Sequence, residues 1–160
     1  MRPFYSMKSL KIPESVLVVI YTPLLDVLLI ERADCPGFWQ SVTGSKDHVD
    51  ELIAETAARE VAEETGIIVG SFEIPSDRLV DWDHFIQYHI YPQWRHRYAP
   101  GVFLNTEHWF GLCVPEKTRV KLSPHEHVEY VWLPWSEAAH NCFSPSNGDA
   151  IRQLPSRHGM

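Results

Sequence analysis

Residues 44–67 constrain this chain more than any other stretch. The segment runs from Gly44 through Glu51 and closes on Arg59-Glu60-Val61-Ala62-Glu63-Glu64-Thr65-Gly66-Ile67. Its second half reads as a helix, because Ala54, Ala57, Ala58 and Val61 recur at the spacing of a helix with one buried face. Asp50 is the expected N-cap, acids at 50, 51 and 55 suit the positive end of the helix dipole, and Gly66 is the expected stop. Glu60, Glu63 and Glu64 are three and four residues apart, so they share a face. At about 100° per residue that face is expected to point well away from the alanine stripe. Three crowded carboxylates repel one another unless a cation neutralises them. Hard oxygen ligands of this kind suit Mg²⁺, with Mn²⁺ as a substitute, rather than Zn²⁺. An acidic run alone is most simply a solvated helix face; here the surroundings decide otherwise.

Those surroundings resemble the Nudix box: Gly, five residues, Glu, seven residues, Arg-Glu, an aliphatic, any residue, Glu-Glu, any residue, Gly, an aliphatic. Glu51, seven intervening residues and Arg59 to Ile67 match in register. The departure is at the front, where Gly44 lies one residue too far from Glu51 and Ser45 holds the in-register position. This reads as a one-residue insertion in the loop before the helix, which touches the loop geometry and not the metal face. The resemblance implies an α/β fold, a Nudix-like α/β/α sandwich with a mixed β-sheet. It further implies that Glu60, Glu63 and Glu64 bind metal, while Gly44, Glu51 and Arg59 support the loop and helix.

Composition sets the outer bounds. At 160 residues, 44% hydrophobic and 22% charged, the chain reads as one soluble globular domain, 1–160, with residues 1–14 as an irregular lead-in. The apolar run from Val16 to Tyr21 is far too short to span a bilayer, and residues 1–12 lack the apolar core of a signal peptide. Cys35, Cys113 and Cys142 are odd in number and form no Cys-x-x-Cys pair, which argues against a disulfide framework and fits a reducing cytoplasm. A formal net charge of −7 argues against nucleic acid as a partner. It also opposes a polyphosphate substrate, unless divalent ions bridge enzyme carboxylates to phosphate oxygens. Arg95-His96-Arg97 is the candidate basic patch. A monomer is the expected state.

Along the chain, Ser15–Tyr21 and Asp26–Arg32 read as a hairpin-like pair of strands. Phe38–Thr43 is short and aromatic and leads into a turn at Gly44, so the acid-rich helix follows a strand and a glycine turn as the box requires. Ile67–Val69 is expected to restart extended structure, residues 70–79 to form a loop, and Leu79–Tyr91 to be mostly extended. Pro92–Asn105 reads as a long basic and aromatic loop. Thr106–Val114 and Val128–Trp132 read as strands, with a short one expected at Arg119–Leu122 in the connection between them. A short helix with Ser136 as cap and a final helix over 144–154, opened by Ser144-Pro145, complete the reading.

Outside the box the chain resembles one Nudix subgroup, the dihydroneopterin triphosphate pyrophosphatases of folate biosynthesis. The resemblance is carried by Ser15–Tyr21, Phe38–Ser45, Arg95–Val102, Asn105-Thr106-Glu107 with Trp109-Phe110, and Glu126-His127 with Trp132-Leu133. It implies hydrolysis of 7,8-dihydroneopterin triphosphate to the monophosphate and pyrophosphate, with Glu126 completing the metal site. Phosphoryl hydrolysis asks for positioning and charge neutralisation more than covalent chemistry. Arg95 and Arg97 are candidates to grip the phosphates through their paired donors. Phe38 or Trp39 is a candidate to stack on the flat pterin, and Tyr98 belongs to the same binding loop. Arg59, Glu63 and Glu126 form the candidate catalytic set. Glu63, Glu126 or a metal-activated water needing no separate base are the alternatives for proton removal. His96, His125 and His127 are set aside as ligands because carboxylates dominate. Two other functions stay open: a nucleoside triphosphate pyrophosphohydrolase of the pool-cleaning type, since purines and pterins are both flat fused rings, and a non-catalytic ligand sensor.

Overall fold

The computed structural model describes residues 10–158. Strand β1 (Glu14–Tyr21) is apolar at every position from Val16 onward because helices cover both faces of the sheet in which it is central. Val16, Val18 and Ile20 point to one layer and Leu17, Val19 and Tyr21 to the other, as the two-residue period of a strand dictates. The expected lead-in is irregular over residues 10–13, Glu14 already belongs to β1, and residues 1–9 lie outside the described set.

Seven strands form one mixed sheet. After β1 come β2 (Asp26–Arg32), β3 (Trp39–Gln40), β4 (Val42–Ser45), β5 (Leu79–His89), β6 (Leu104–Cys113) and β7 (His127–Pro134). β1 and β6 run parallel over their full length, and the remaining pairs are antiparallel. β1 and β2 meet only near Tyr21 and Val27 and then diverge. The segment 39–45 fills the fork, pairing first with β2 through Trp39 and Gln40 and then with β1 through Val42 to Ser45. Ser41, at the changeover, is buried and clamped from the far side: its N–H donates to Asn147 Oδ1 at 2.8 Å, and Asn147 Nδ2 donates to its Oγ at 2.9 Å. Gly44 therefore lies within β4 and makes no turn.

Helix α1 (Ile53–Thr65) covers one face through Ala57 and Val61, which join Val16, Val18, Ile20 and Phe110 in a core group. The N-cap is Leu52 rather than Asp50, and Glu55 caps the turn by accepting from the Leu52 N–H at 3.1 Å. Asp50 stays in the preceding turn because Glu51 is pulled inward as an acceptor. Gly66 ends the helix in the left-handed region, at φ 78°. The buried stripe is also rotated from the expected one: Ala54 is exposed, whereas Glu60 and Glu64 are buried beside Val61. Neither Ile67–Val69 nor Arg119–Leu122 forms a strand. Ile67 and Val120 instead bury single side chains against the α1 core, with Ile67 N–H held by Thr65 Oγ1 and Lys121 N–H by Thr65 O.

On the opposite face lie α2 (Trp135–Asn141), α3 (Pro145–Arg152) and α4 (Leu154–His158). Ala138, Ala139, Ala150, Ile151 and Leu154 close on Leu17, Val19, Val27 and Leu29. α2 is preceded by Pro134, so Ser136 sits inside the helix, and the expected final helix is split at Gln153 into α3 and α4. The result is a helix–sheet–helix sandwich. Between β5 and β6 the chain makes a 3₁₀ turn over Pro92–Arg97, which brings that loop back over the fork between β1 and β2.

Candidate active site

Two cavities open over the fork, and they share Lys11, Arg32, Gln40, Thr43 and Arg97 as walls. They are lobes of one cleft. The first, about 440 Å³, is polar and is lined by Glu60, Glu64, Glu126, Gly44, Ser45 and the neighbouring loop. The second, about 380 Å³, is lined by Phe38, Tyr88, Tyr91, Trp94, Tyr98, Glu107 and the start of α3. The shared walls put three cations at the waist. Arg32 makes a two-pronged pair with Asp34, at 2.8 Å for both contacts, and stands 4.6 Å from the Trp94 ring centre. Arg97 reaches the same Asp34 at 3.3 Å. Burial, then Arg97, lowers the Lys11 ammonium pKa.

The polar lobe is built by the loop before α1. Glu51 is buried and accepts from four donors: Arg59 Nε at 2.9 Å, Arg59 Nη2 at 3.0 Å, Thr56 Oγ1 at 2.9 Å and Asp47 N–H at 2.9 Å. The Arg59 pairing drives its carboxyl down to about 2. Arg59 also donates to Ser45 O at 2.9 Å, tying strand β4 to the helix. Its remaining donor faces Glu63 at 3.3 Å and Glu60 at 3.4 Å. A Cβ at Gly44 would overlap the Glu60 carboxylate, so glycine is what lets that acid lie against β4.

Glu60 and Glu64 share the lobe with different surroundings from Glu63. Burial raises the pKa of both, and for Glu64 the adjacent Glu60 and Glu126 add to the rise. Among the described residues Glu64 Oε1 is buried with no hydrogen-bond partner. An acceptor left bare in this way fits a cation, since an unpartnered buried acceptor is otherwise costly. The donor set, all carboxylate, suits Mg²⁺ or Mn²⁺. Among the described residues no three such side chains close into a ready-made cage.

Residues 11–154 match the NUDIX domain family. The chain belongs to that family. It is 42% identical over 148 residues to the dihydroneopterin triphosphate diphosphatase of Escherichia coli strain K12, covering 92% of this chain and 95% of that one. It is 37% identical over 150 residues to the protein of the same name from Haemophilus influenzae, covering 93% and 91%. The solved structure of the E. coli dihydroneopterin triphosphate pyrophosphohydrolase superposes with a TM-score of 0.81 over 91% of this chain and 97% of that chain. A Listeria monocytogenes structure described as a NUDIX hydrolase shares the fold at a TM-score of 0.74 and 22% identity.

Within this Nudix frame the extra residue before Glu51 is absorbed in the irregular loop that follows β4, and Glu51 still reaches Arg59. The structure gathers Glu60, Glu64 and Glu126 in the polar lobe and Phe38, Arg97 and Tyr98 around the aromatic lobe. Glu63 lines neither lobe; it is exposed and turned to Arg59. Arg95 lines neither lobe; it is exposed and lies 5.2 Å from the Phe103 ring centre. Trp39 also lines neither lobe, because alternation along β3 turns it into the core group under α2 and α3 while Gln40 faces the cleft. Phe38 is stacked on Phe143 at 4.1 Å, so its ring is a wall already backed by another ring. Sequence reasoning missed Lys11, Arg32, Trp94 and Asn147. Lys11 sits in the irregular lead-in and Arg32 at a strand end, where no local pattern distinguishes them. Gln40, Thr43 and Glu107 lay inside the subgroup-like runs without a role attached. His127 is buried with Nε2 beside Gln40 at 3.4 Å, and burial lowers it to about 4, so it is a neutral wall of the polar lobe.

Proposed function

We infer that this chain hydrolyses 7,8-dihydroneopterin triphosphate to the monophosphate and pyrophosphate, using Mg²⁺ or, in its place, Mn²⁺. One observation carries the reading: a single cleft presents an acidic lobe, a waist of three cations and an aromatic lobe, in that order. That sequence of environments matches metal-bound phosphates, the rest of the polyphosphate chain and a flat ring. The identity to the E. coli and H. influenzae enzymes over most of both chains supports the substrate.

Glu60, Glu64 and Glu126 are the groups that would hold the ion. A divalent ion held there would bring positive charge to the phosphates and make the attacking water more acidic. Arg32, Arg97 and Lys11 neutralise phosphate oxygens beyond the acidic lobe, and the planar arginine fork favours paired contacts. Glu51 and Arg59 act by position: they lock the loop and helix so that Glu60 stays against Gly44. Glu126, exposed and lining the polar lobe, and Glu63, exposed outside it, are the carboxylates on which the water's proton would be placed. Phe38, Trp94, Tyr91 and Tyr98 form the walls for the ring. Among the described residues no helix is long and apolar enough to cross a membrane. The three free thiols fit a cytoplasmic enzyme.

The test is the product pattern. With Mg²⁺ and dihydroneopterin triphosphate, stoichiometric pyrophosphate and monophosphate are expected, at higher kcat/KM than with any common nucleoside triphosphate. Release of orthophosphate alone, or faster cleavage of an ordinary nucleotide, overturns the assignment.

A further inference from the structure

The aromatic lobe holds one group that the phosphate chemistry leaves unused. Glu107 lies on β6, opposite Ser15 of β1, at the floor of the lobe beside Leu17 and Tyr88. It is 5% exposed. Among the described residues its carboxylate has one donor, Trp109 Nε1, which reaches Oε1 at 3.1 Å. Among the described residues no cation pairs with it. Burial lifts its carboxyl to about 7 and, with Glu107 nearby, raises the Tyr88 phenol as well.

A buried, half-satisfied carboxylate is costly unless a donor arrives. If its task were only to hold the Trp109 indole, an amide or a backbone carbonyl would serve without burying a titratable acid and would need no opening to a cavity. Five flat rings, Phe38, Tyr88, Tyr91, Trp94 and Tyr98, wall the lobe together with polar side chains, which suits a flat ligand; to satisfy Glu107 it must bring hydrogen-bond donors on its edge. A fused ring carrying a 2-amino group next to a ring N–H and a 4-oxo group has that edge: two parallel N–H donors, matched to a carboxylate.

We propose that Glu107 is the specificity residue of the ring lobe, its free oxygen and its Trp109-bonded oxygen together accepting from the amino and ring N–H of a 2-amino-4-oxo pyrimidine edge. The proposal rests on the reading that the lobe takes a pterin, and it extends to guanine, which shares the edge. It excludes adenine, whose corresponding edge has no ring N–H, and 2-oxo rings, which turn an acceptor toward the carboxylate. Trp109 acts as a positioning residue by fixing one oxygen, which leaves the carboxylate plane aimed into the cavity.

Two measurements test it. First, free pterin and lumazine, the same ring with a 2-oxo group, are compared as competitive inhibitors of the wild-type enzyme. Pterin is expected to inhibit at about tenfold lower concentration or less, the value of one charged hydrogen bond. Second, kcat/KM for dihydroneopterin triphosphate and for ATP is measured for wild type and Glu107→Gln. The ratio of the two substrates is expected to fall by about 10- to 100-fold in the variant, mainly through KM for the pterin, because ring binding is the same in ground and transition states. Equal inhibition by pterin and lumazine overturns the proposal on the wild-type protein alone, whether or not the variant folds. A variant that loses both substrates in equal proportion overturns it too, by giving Glu107 a merely structural role. If wild type does not cleave dihydroneopterin triphosphate, the substrate assignment fails separately, and the pterin–lumazine comparison against whichever nucleotide is cleaved still decides Glu107.

Discussion

Gly44→Ala isolates the geometry of the acidic lobe without deleting any acid. Gly44 is not among the glycines with positive φ, so alanine meets no backbone penalty there. The Cβ would instead overlap the Glu60 carboxylate. Glu60 ends in a flexible side chain, so the overlap is relieved when Glu60 swings to another rotamer. Overpacking of this sort costs about 1–3 kcal/mol. At about 2–4 °C per kcal/mol for a chain of this size, Tm falls by no more than roughly 12 °C. The chemical cost is larger. Displacing one preorganised charge-stabilising group costs about 10²–10³ in kcat, by analogy with removal of a single oxyanion donor. Pyrophosphate release at saturating Mg²⁺ is the assay, with a thermal melt beside it. The double variant Gly44→Ala/Glu60→Gln should be no slower than the slower single, because both remove the same carboxylate from the same place. A folded Gly44→Ala enzyme with wild-type kcat/KM would refute the claim that Glu60 must lie against β4.

Three further perturbations separate stability from turnover. Glu64→Gln should lower turnover at least ~100-fold yet raise the metal-free Tm, because it removes a buried carboxylate whose pKa is raised. The sign follows from linkage: a raised acid favours the folded state when protonated, so metal-free wild type should lose stability as pH rises from about 4.5 upward, a loss that Mg²⁺ reverses and Glu64→Gln lacks. Glu51 titrates the other way. Its carboxyl is held near 2 by Arg59, so its stabilisation is present above about 4.5 and lost as pH falls toward 2, and acid melts of Glu51→Gln should be flatter in that window. Asn147→Ala strips two hydrogen bonds from buried Ser41 and should cost about 2–4 kcal/mol; because Asn147 also lines the ring lobe, KM should rise more than kcat falls, measured by melts and steady-state kinetics.

The parts of the fold legible in the chain were those with a strong local pattern. β1 and β2 are buried on both faces and read as continuous apolar runs, and α1 carries a helical period; the bounds read for β2, Asp26 to Arg32, are those observed. The helix face was misjudged for a physical reason. Alanines and glutamates were sorted as inside and outside, yet Glu60 and Glu64 are buried because they line a cleft, and Ala54 is exposed because nothing covers that turn. Fork and waist were illegible, since they depend on β1 and β2 parting after one contact and on residues as distant as Lys11 and Arg97 meeting across it. Arg95 and Trp39 were attractive by type and proximity to motif runs. Position along a 3₁₀ turn and alternation along β3 aim both away from the cleft, and their neighbours Arg97 and Gln40 face it.

The central claim is that buried carboxylates of α1 hold a divalent ion for a triphosphate. Crystals grown with Mn²⁺ and a non-hydrolysable substrate analogue, measured at the manganese absorption edge, test it most directly. An anomalous peak about 2.0–2.3 Å from carboxylate oxygens of Glu60 and Glu64, bridging to phosphate, is the expected result. A peak on His125 and His127 instead, or no ion in the lobe of an enzyme that turns over in Mn²⁺, would contradict the account.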